Sequence, residues 1–139
     1  MREVKFRRAL FLDGKFSHFK YWGKNIGHAT FVSPGSADAY DAKDDQQFIG
    51  LPDKNGKEIY EGDIVRVPEL YETPEMTATT YVNWEVVFLF GSWHLKKPDY
   101  TPELGSTTLY DEYHSYDEDF EVIGNIYENP ELLEKEAHP

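Results

Sequence analysis

The chain contains no cysteine. That excludes disulfides, zinc–thiolate sites and thiol nucleophiles together, and it suits a reducing compartment. Long apolar runs are also missing. The longest, Val86 to Phe90, is far below the ~20 residues of a membrane span. Leu10-Phe11-Leu12 after the basic N-terminus is too short for the roughly 7–15-residue core of a signal peptide. A soluble, non-exported, cytoplasmic protein is therefore the expectation. Basic charge is scarce: 14 Lys and Arg stand against 26 Asp and Glu, a net −12. Such a surface repels nucleic-acid phosphates at long range.

Catalytic signatures are lacking too. No phosphate-binding loop or dinucleotide fingerprint occurs. The small-residue stretches Ser33-Pro34-Gly35-Ser36 and Gly91-Ser92 do not form a nucleophile elbow. The histidines at 18, 28, 94, 114 and 138 contain no pair at the one-turn spacing of a zinc protease. His114 near Asp111 or Asp117 would make a general base with an orienting carboxylate, but no nucleophile accompanies it. No catalytic residue and no cofactor are assigned.

What the chain does have is strand and turn chemistry. Aromatics are 16% of its residues, with ten Tyr and nine Phe, a composition that favours sheets. Glu3 to Arg7 alternates charged and apolar residues, placing Val4 and Phe6 inward, and Ala9 to Leu12 extends it. Asp13-Gly14 turns, and Lys15 to Tyr21 returns until Trp22 and Gly23, so residues 1–24 read as an N-terminal hairpin. Residues 33–46 are a polar connection. Residues 47–67, QFIGLPDKNGKEIYEGDIVRV, read as strand, tight turn, strand, corner and strand. Asn55-Gly56 predicts a two-residue type I′ turn with a solvated tip. Pro52 ends the first strand at Leu51. Gly62 permits the corner before Ile64 to Val67. Glu61 and Asp63 flanking it are either a carboxylate pair or corner residues bonded to nearby backbone.

The stretch 68–80, rich in Glu, Thr and Pro, is expected to be an excursion. Tyr81 to Phe90 is the longest strand candidate, with Trp84, Val86, Phe88 and Phe90 on one face and Val82, Val87 and Leu89 also apolar. A strand apolar on both sides is central or covered. Trp93 to Leu95, Thr107 to Tyr110 and Phe120 to Ile123 follow as strands. Asn129-Pro130-Glu131 predicts a helix start, giving a short C-terminal helix over 128–136. The whole, residues 1–139, reads as a single mostly β domain: a small folded, barrel-like sheet of the SH3-like or pseudo-barrel kind.

Two clusters merit a functional reading. Asp111, Glu112, Asp117, Glu118, Asp119 and Glu121 fall within eleven residues without Lys or Arg. Asp111, Glu112, Asp117 and Asp119 are candidate ligands for a hard cation. The competing explanation is a solvated acidic loop. Tyr110, Tyr113 and Tyr116, spaced by three and interleaved with acids, form a candidate protein-contact surface together with Trp84. Ordinary packing aromatics are the alternative. Residues 1–24 hold seven Lys and Arg against Glu3 and Asp13, an excess expected to meet the chain's own acidic C-terminal half or a second subunit.

Three segments resemble a known family. MREVKFR at the start, residues 47–67 in the middle and FEVIGNIYENPELL from Phe120 to Leu133 are similar, in order, to the YopX family of phage and prophage proteins. The resemblance implies a small, mainly β, phage-encoded protein of unassigned activity, and it brings no catalytic residues. The expectation is a non-enzymatic accessory acting through protein contacts, with homo-oligomers included. The alternatives are a nucleic-acid accessory using the basic strand and tryptophans, and a metal-assisted enzyme on the 111–121 acids.

Overall fold

The computed structural model describes residues 4–24, 40–72, 74, 77–89, 91–97, 107–108 and 120–134. Among the described residues the fold is mostly β with almost no helix. Contacts group the chain into two compact units. The first comprises Met1–Leu51 and Glu58–Glu61, the second Pro52–Lys57 and Gly62–Pro139.

The first unit is a five-stranded sheet. It contains β1 (Val4–Leu12), β2 (Lys15–Lys24), β3 (Asp41–Ala42), β4 (Gln46–Pro52) and β5 (Glu58–Tyr60), in the order β2-β1-β4-β5 with β3 also paired to β1. The N-terminal hairpin pairs with the central strands as expected, Phe6 opposite Gln47 and Arg7 opposite Gln46. Its turn is a two-residue mirror turn. Asp13 (φ 52°) and Gly14 (φ 77°) both adopt positive φ between Leu12 and Lys15, as a type I′ turn requires. The strand β2 runs through Gly23 to Lys24, because Gly23 lies so close to β1 that a Cβ there would sit 2.2 Å from the Val4 carbonyl oxygen.

The Asn55-Gly56 turn differs from its expected type. Gly56 has φ 80°, while Asn55 is not among the positive-φ residues. The Gly56 amide donates to the Asp53 carbonyl (3.0 Å), and the Asp53 amide to the Lys57 carbonyl (2.7 Å). This is a three-residue loop with one left-handed glycine. The cause is Asp53, whose Oδ1 accepts from the amides of Asn55 and Lys57, each at 2.9 Å. That Asx turn holds Asn55 out of the left-handed region. Nor is the turn wholly solvated, since Asp53 is 6% exposed. The strand before it extends one residue past the expected end, through Pro52.

The second unit is also a five-stranded antiparallel sheet. Its strands are β6 (Asp63–Glu72), β7 (Thr77–Leu89), β8 (Ser92–Lys96), β9 (Thr107–Thr108) and β10 (Glu121–Asn125), ordered β10-β6-β7-β8-β9. The doubly apolar strand is central, as its pattern required. The 68–80 stretch is not an excursion. β6 continues to Glu72 and β7 begins at Thr77, paired from Pro68↔Tyr81 to Glu72↔Thr77. Threonine's β-branch favours strands. Among the described residues no strand besides β7 pairs with β6 beyond Arg66, and at such a position a missing N–H, as at Pro68, costs little. Ile64, Val65, Val67, Val86, Leu95 and Phe120 form the buried apolar set of this unit, each at most 2% exposed.

The expected C-terminal helix is a single 3-10 turn, Pro130–Leu133. Asn129 makes no side-chain cap bond. Its Oδ1 instead receives the Asn125 amide at 3.4 Å, and so short a segment cannot sustain an α-helix alone. It is tied to the sheet where Asn83 Nδ2 donates to the Leu132 carbonyl (3.1 Å).

Candidate functional site

In the first unit, the register sets Arg7 on β1 opposite Tyr21 on β2 and Gln46 on β4. Alternation predicted Val4 and Phe6 inward, yet both are only half-buried and Arg7 is 4% exposed. A buried guanidinium is costly unless its charge and donors are matched. Here the Phe19 and Tyr60 rings lie 4.0 and 4.9 Å from its central carbon. Nε donates to Gln46 Oε1 at 2.8 Å and Nη2 to the Glu61 carbonyl at 3.2 Å. Aromatic faces and neutral acceptors can hold a cation in this way because the ring quadrupole attracts it.

The surroundings shift neighbouring groups. Burial, and then the Glu58 charge, push the Tyr60 hydroxyl well above the ordinary tyrosine value. Burial also raises the Glu61 carboxyl, opposed by a backbone hydrogen bond at Gln47 and by Arg7. Both groups are therefore biased toward their neutral forms. Tyr21 packs edge-on to Tyr60 with ring centroids 5.6 Å apart, and it is 56% exposed.

The remaining cations of β1 are matched by acids from the first unit. Lys5 pairs with Glu58. Arg8 makes two bonds to Asp45, Nε to Oδ1 at 2.8 Å and Nη2 to Oδ2 at 3.1 Å. Asp45 Oδ1 also accepts from Trp22 Nε1 at 3.4 Å, while the Trp22 ring stacks on Phe6 at 4.7 Å. The expected partner was the C-terminal half; Asp45 and Glu58 come from the middle of the chain. They are close because β1 lies beside β4, which only the pairing reveals.

In the second unit, Asp53 is a buried node that the sequence reading placed in solvent. Besides its two turn bonds, its Oδ2 accepts from the Val122 amide at 2.9 Å. The Lys54 amide donates to the Phe120 carbonyl at 2.8 Å, and Lys54 Nζ meets Glu121 Oε2 at 2.9 Å. The turn is thereby clipped to β10. Gly62 (φ 83°) forms the corner. Its amide donates to the Val86 carbonyl (2.8 Å), and its carbonyl receives the Ile126 amide (2.9 Å). Of the two corner acids, Asp63 is buried on β6 opposite Asn125, and Glu61 is half-buried in the first unit.

Asn125 Oδ1 accepts from the amides of Tyr127 (3.0 Å) and Glu128 (2.9 Å). Gly124 is required beside it, because a Cβ would lie 2.5 Å from Asn129 Oδ1. The Gly124-Asn125 and Asn129 positions of the C-terminal segment thus serve the turn.

Of the sequence-derived contact residues, Trp84 is half-buried on β7, with Lys97 Nζ 4.7 Å above its ring. Tyr110, Tyr113 and Tyr116 lie outside the described residues, as do Asp111, Glu112, Asp117, Asp119 and His114. Among the described residues, no group of three or more His, Asp or Glu is arranged to hold a metal ion. His94 is buried, with Nε2 2.9 Å from Ser92 Oγ. No helix among the described residues is long and apolar enough to cross a membrane. Among the described residues of this unit, Tyr81 (56%) and Phe88 (52%) are exposed large aromatics. Arg66 lies 4.2 Å from the Tyr81 ring centre. Phe88 meets Trp93 of β8 edge-on at 5.0 Å. The sequence pattern placed Phe88 on the same face as Val86; Val86 is fully buried, whereas Phe88 is 52% exposed.

No curated protein matches the chain. Among solved structures, it is similar to the crystal structure of protein EF1440 from Enterococcus faecalis, at 27% identity over 94% of this chain and 98% of that one, with a TM-score of 0.45. Residues 35–134 match the family described as YopX protein, a span containing the Asp53 turn, the Gly62 corner and the Gly124-Asn125 segment. The chain belongs to the YopX family.

Proposed function

We propose that this chain is a phage- or prophage-encoded accessory protein of the host cytoplasm that works through protein–protein contacts, self-association included, and catalyses no reaction. The observation that carries this reading is the exposure of Tyr21, Tyr81 and Phe88, large aromatic side chains each more than half open. Aromatic side chains are enriched at protein interfaces because they bury large area at low entropic cost. The internal use of Lys5, Arg7 and Arg8 counts against the nucleic-acid alternative, since phosphate binding needs cations at the surface. The metal-assisted enzyme reading rests on the acids of residues 111–121, and calorimetry with magnesium, calcium and manganese tests it directly.

The contact reading is tested by light scattering on the purified protein, together with affinity capture from host cells. Wild-type protein is compared with Phe88→Ser and Tyr21→Ser in both. The expected result is a mass above the monomer, or a captured partner, that either substitution diminishes. A strictly monomeric mass at high concentration, with capture indifferent to both substitutions, overturns the proposal.

A further inference from the structure

The two sheets end in edges of opposite charge. β2 closes one side of the first sheet. From Lys15 to Lys24 it contains three lysines, one histidine and no acid. Lys15, Ser17, His18, Lys20 and Tyr21 are exposed along it. An edge strand this long is a template for pairing with another chain unless something opposes it.

In the second sheet, β10 covers β6 only from Asp63 to Arg66, and β8 covers β7 only from Glu85 onward. Beyond these points β6 and β7 continue as a ribbon, Pro68–Glu72 against Thr77–Tyr81, paired only to each other among the described residues. A two-stranded ribbon alone is marginally stable in water. No Lys or Arg occurs between Val67 and Leu95, whereas Glu69 and Glu72 lie on β6 itself.

We propose that the β6 edge of this ribbon, Glu69 to Glu72, adds as a strand to the β2 edge of a second copy of the chain. The inference rests on the contact reading above and names the surfaces of its self-association. Charge selects the occupant. Pairing β2 with β2 would bring lysines against lysines, and pairing ribbon with ribbon would bring glutamates together. Like charges facing across a ladder destabilise it, while opposite charges support it. Only ribbon against β2 avoids both conflicts, and main-chain hydrogen bonds along the two edges supply the affinity. The contact is heterologous, so its closure into a ring or growth into a filament follows from the rotation between copies.

Two charge-reversed variants test this, Lys15→Glu/Lys20→Glu on β2 and Glu69→Lys/Glu72→Lys on the ribbon. Both are checked for native circular dichroism, with Lys15→Gln/Lys20→Gln and Glu69→Gln/Glu72→Gln as milder versions. Sedimentation velocity is read for each variant alone and for the two mixed in equal amounts. Wild-type association is expected to weaken as salt rises. Each reversed variant alone is expected to associate at least about tenfold more weakly, since a tenfold change corresponds to about 1.4 kcal/mol. The mixture recovers association, because the acidic β2 of one then meets the basic ribbon of the other. Self-association that survives both reversals, or a mixture that stays apart, overturns the inference while leaving the contact reading in place. A strictly monomeric wild type overturns it as well; capture that depends on Phe88 would then still support contacts with a different protein.

Discussion

Asp53 shows how much one side chain can organise. Its carboxylate accepts three backbone amides, two inside its own turn and one from Val122 on β10. Removing a buried acceptor leaves those donors unmatched, which costs more than the bonds add. Asp53→Ala is expected to lower stability by about 2–4 kcal/mol. Asp53→Asn should cost less, since an amide oxygen can keep the turn bonds while the amide nitrogen faces the Val122 donor. Urea denaturation of the three proteins checks both the size and the order.

Glu61 has a different signature. Burial raises its carboxyl above the ordinary value of 4.5, so the folded state holds the proton more tightly than the unfolded state. Its contribution to stability is therefore full below about that value and is lost as pH rises through the raised folded value. Glu61→Gln cannot ionise. Denaturation midpoints measured across this window should show the wild type falling relative to the variant as pH rises, with no divergence at more acidic pH. A difference that is constant with pH would contradict the assignment.

At the scale of elements, one of two hairpin turns departs from the type its sequence suggests. Asp13-Gly14 makes the mirror turn, whereas Asn55-Gly56 sits in a three-residue loop with only Gly56 left-handed. Asn55→Ala is accordingly expected to change stability by less than about 0.5 kcal/mol, while Gly56→Ala costs about 1–2 kcal/mol because an L side chain resists that φ. Equal costs at the two positions, read by thermal denaturation, would restore the two-residue turn. The strand positions were legible because alternation and turn residues are local signals. The Pro68–Thr80 stretch was misread because proline and glutamate are disfavoured in strands generally, yet tolerated where a strand has no neighbour. That depends on where β10 stops, which is not a local property. The C-terminal helix failed for a similar reason: Asn129 has the right identity for a cap, but its side chain is committed to Asn125.

For the whole molecule, the decisive quantity is where charge is free. The net charge is −12, and the cations of β1 are taken up by Glu58, Asp45 and the Phe19–Tyr60 rings. Labelled single- and double-stranded DNA should therefore show no rise in fluorescence anisotropy with this protein even at low salt. Binding that appears at low salt and falls steeply as salt rises would return the nucleic-acid reading to the front.

Composition, alternation and turn residues by themselves determined a mostly β chain, its N-terminal hairpin, its central strand–turn–strand segment and the family to which that segment points. Tertiary structure alone decided that Arg7 is buried, that Asp53 joins a turn to a distant strand and that the β6–β7 ribbon outruns its neighbours. The division has a physical cause. Side-chain periodicity is set by the backbone within a few residues, whereas burial of a charge and exposure of an edge depend on which strands lie side by side, and hydrogen-bonded pairing between segments far apart in the chain decides that.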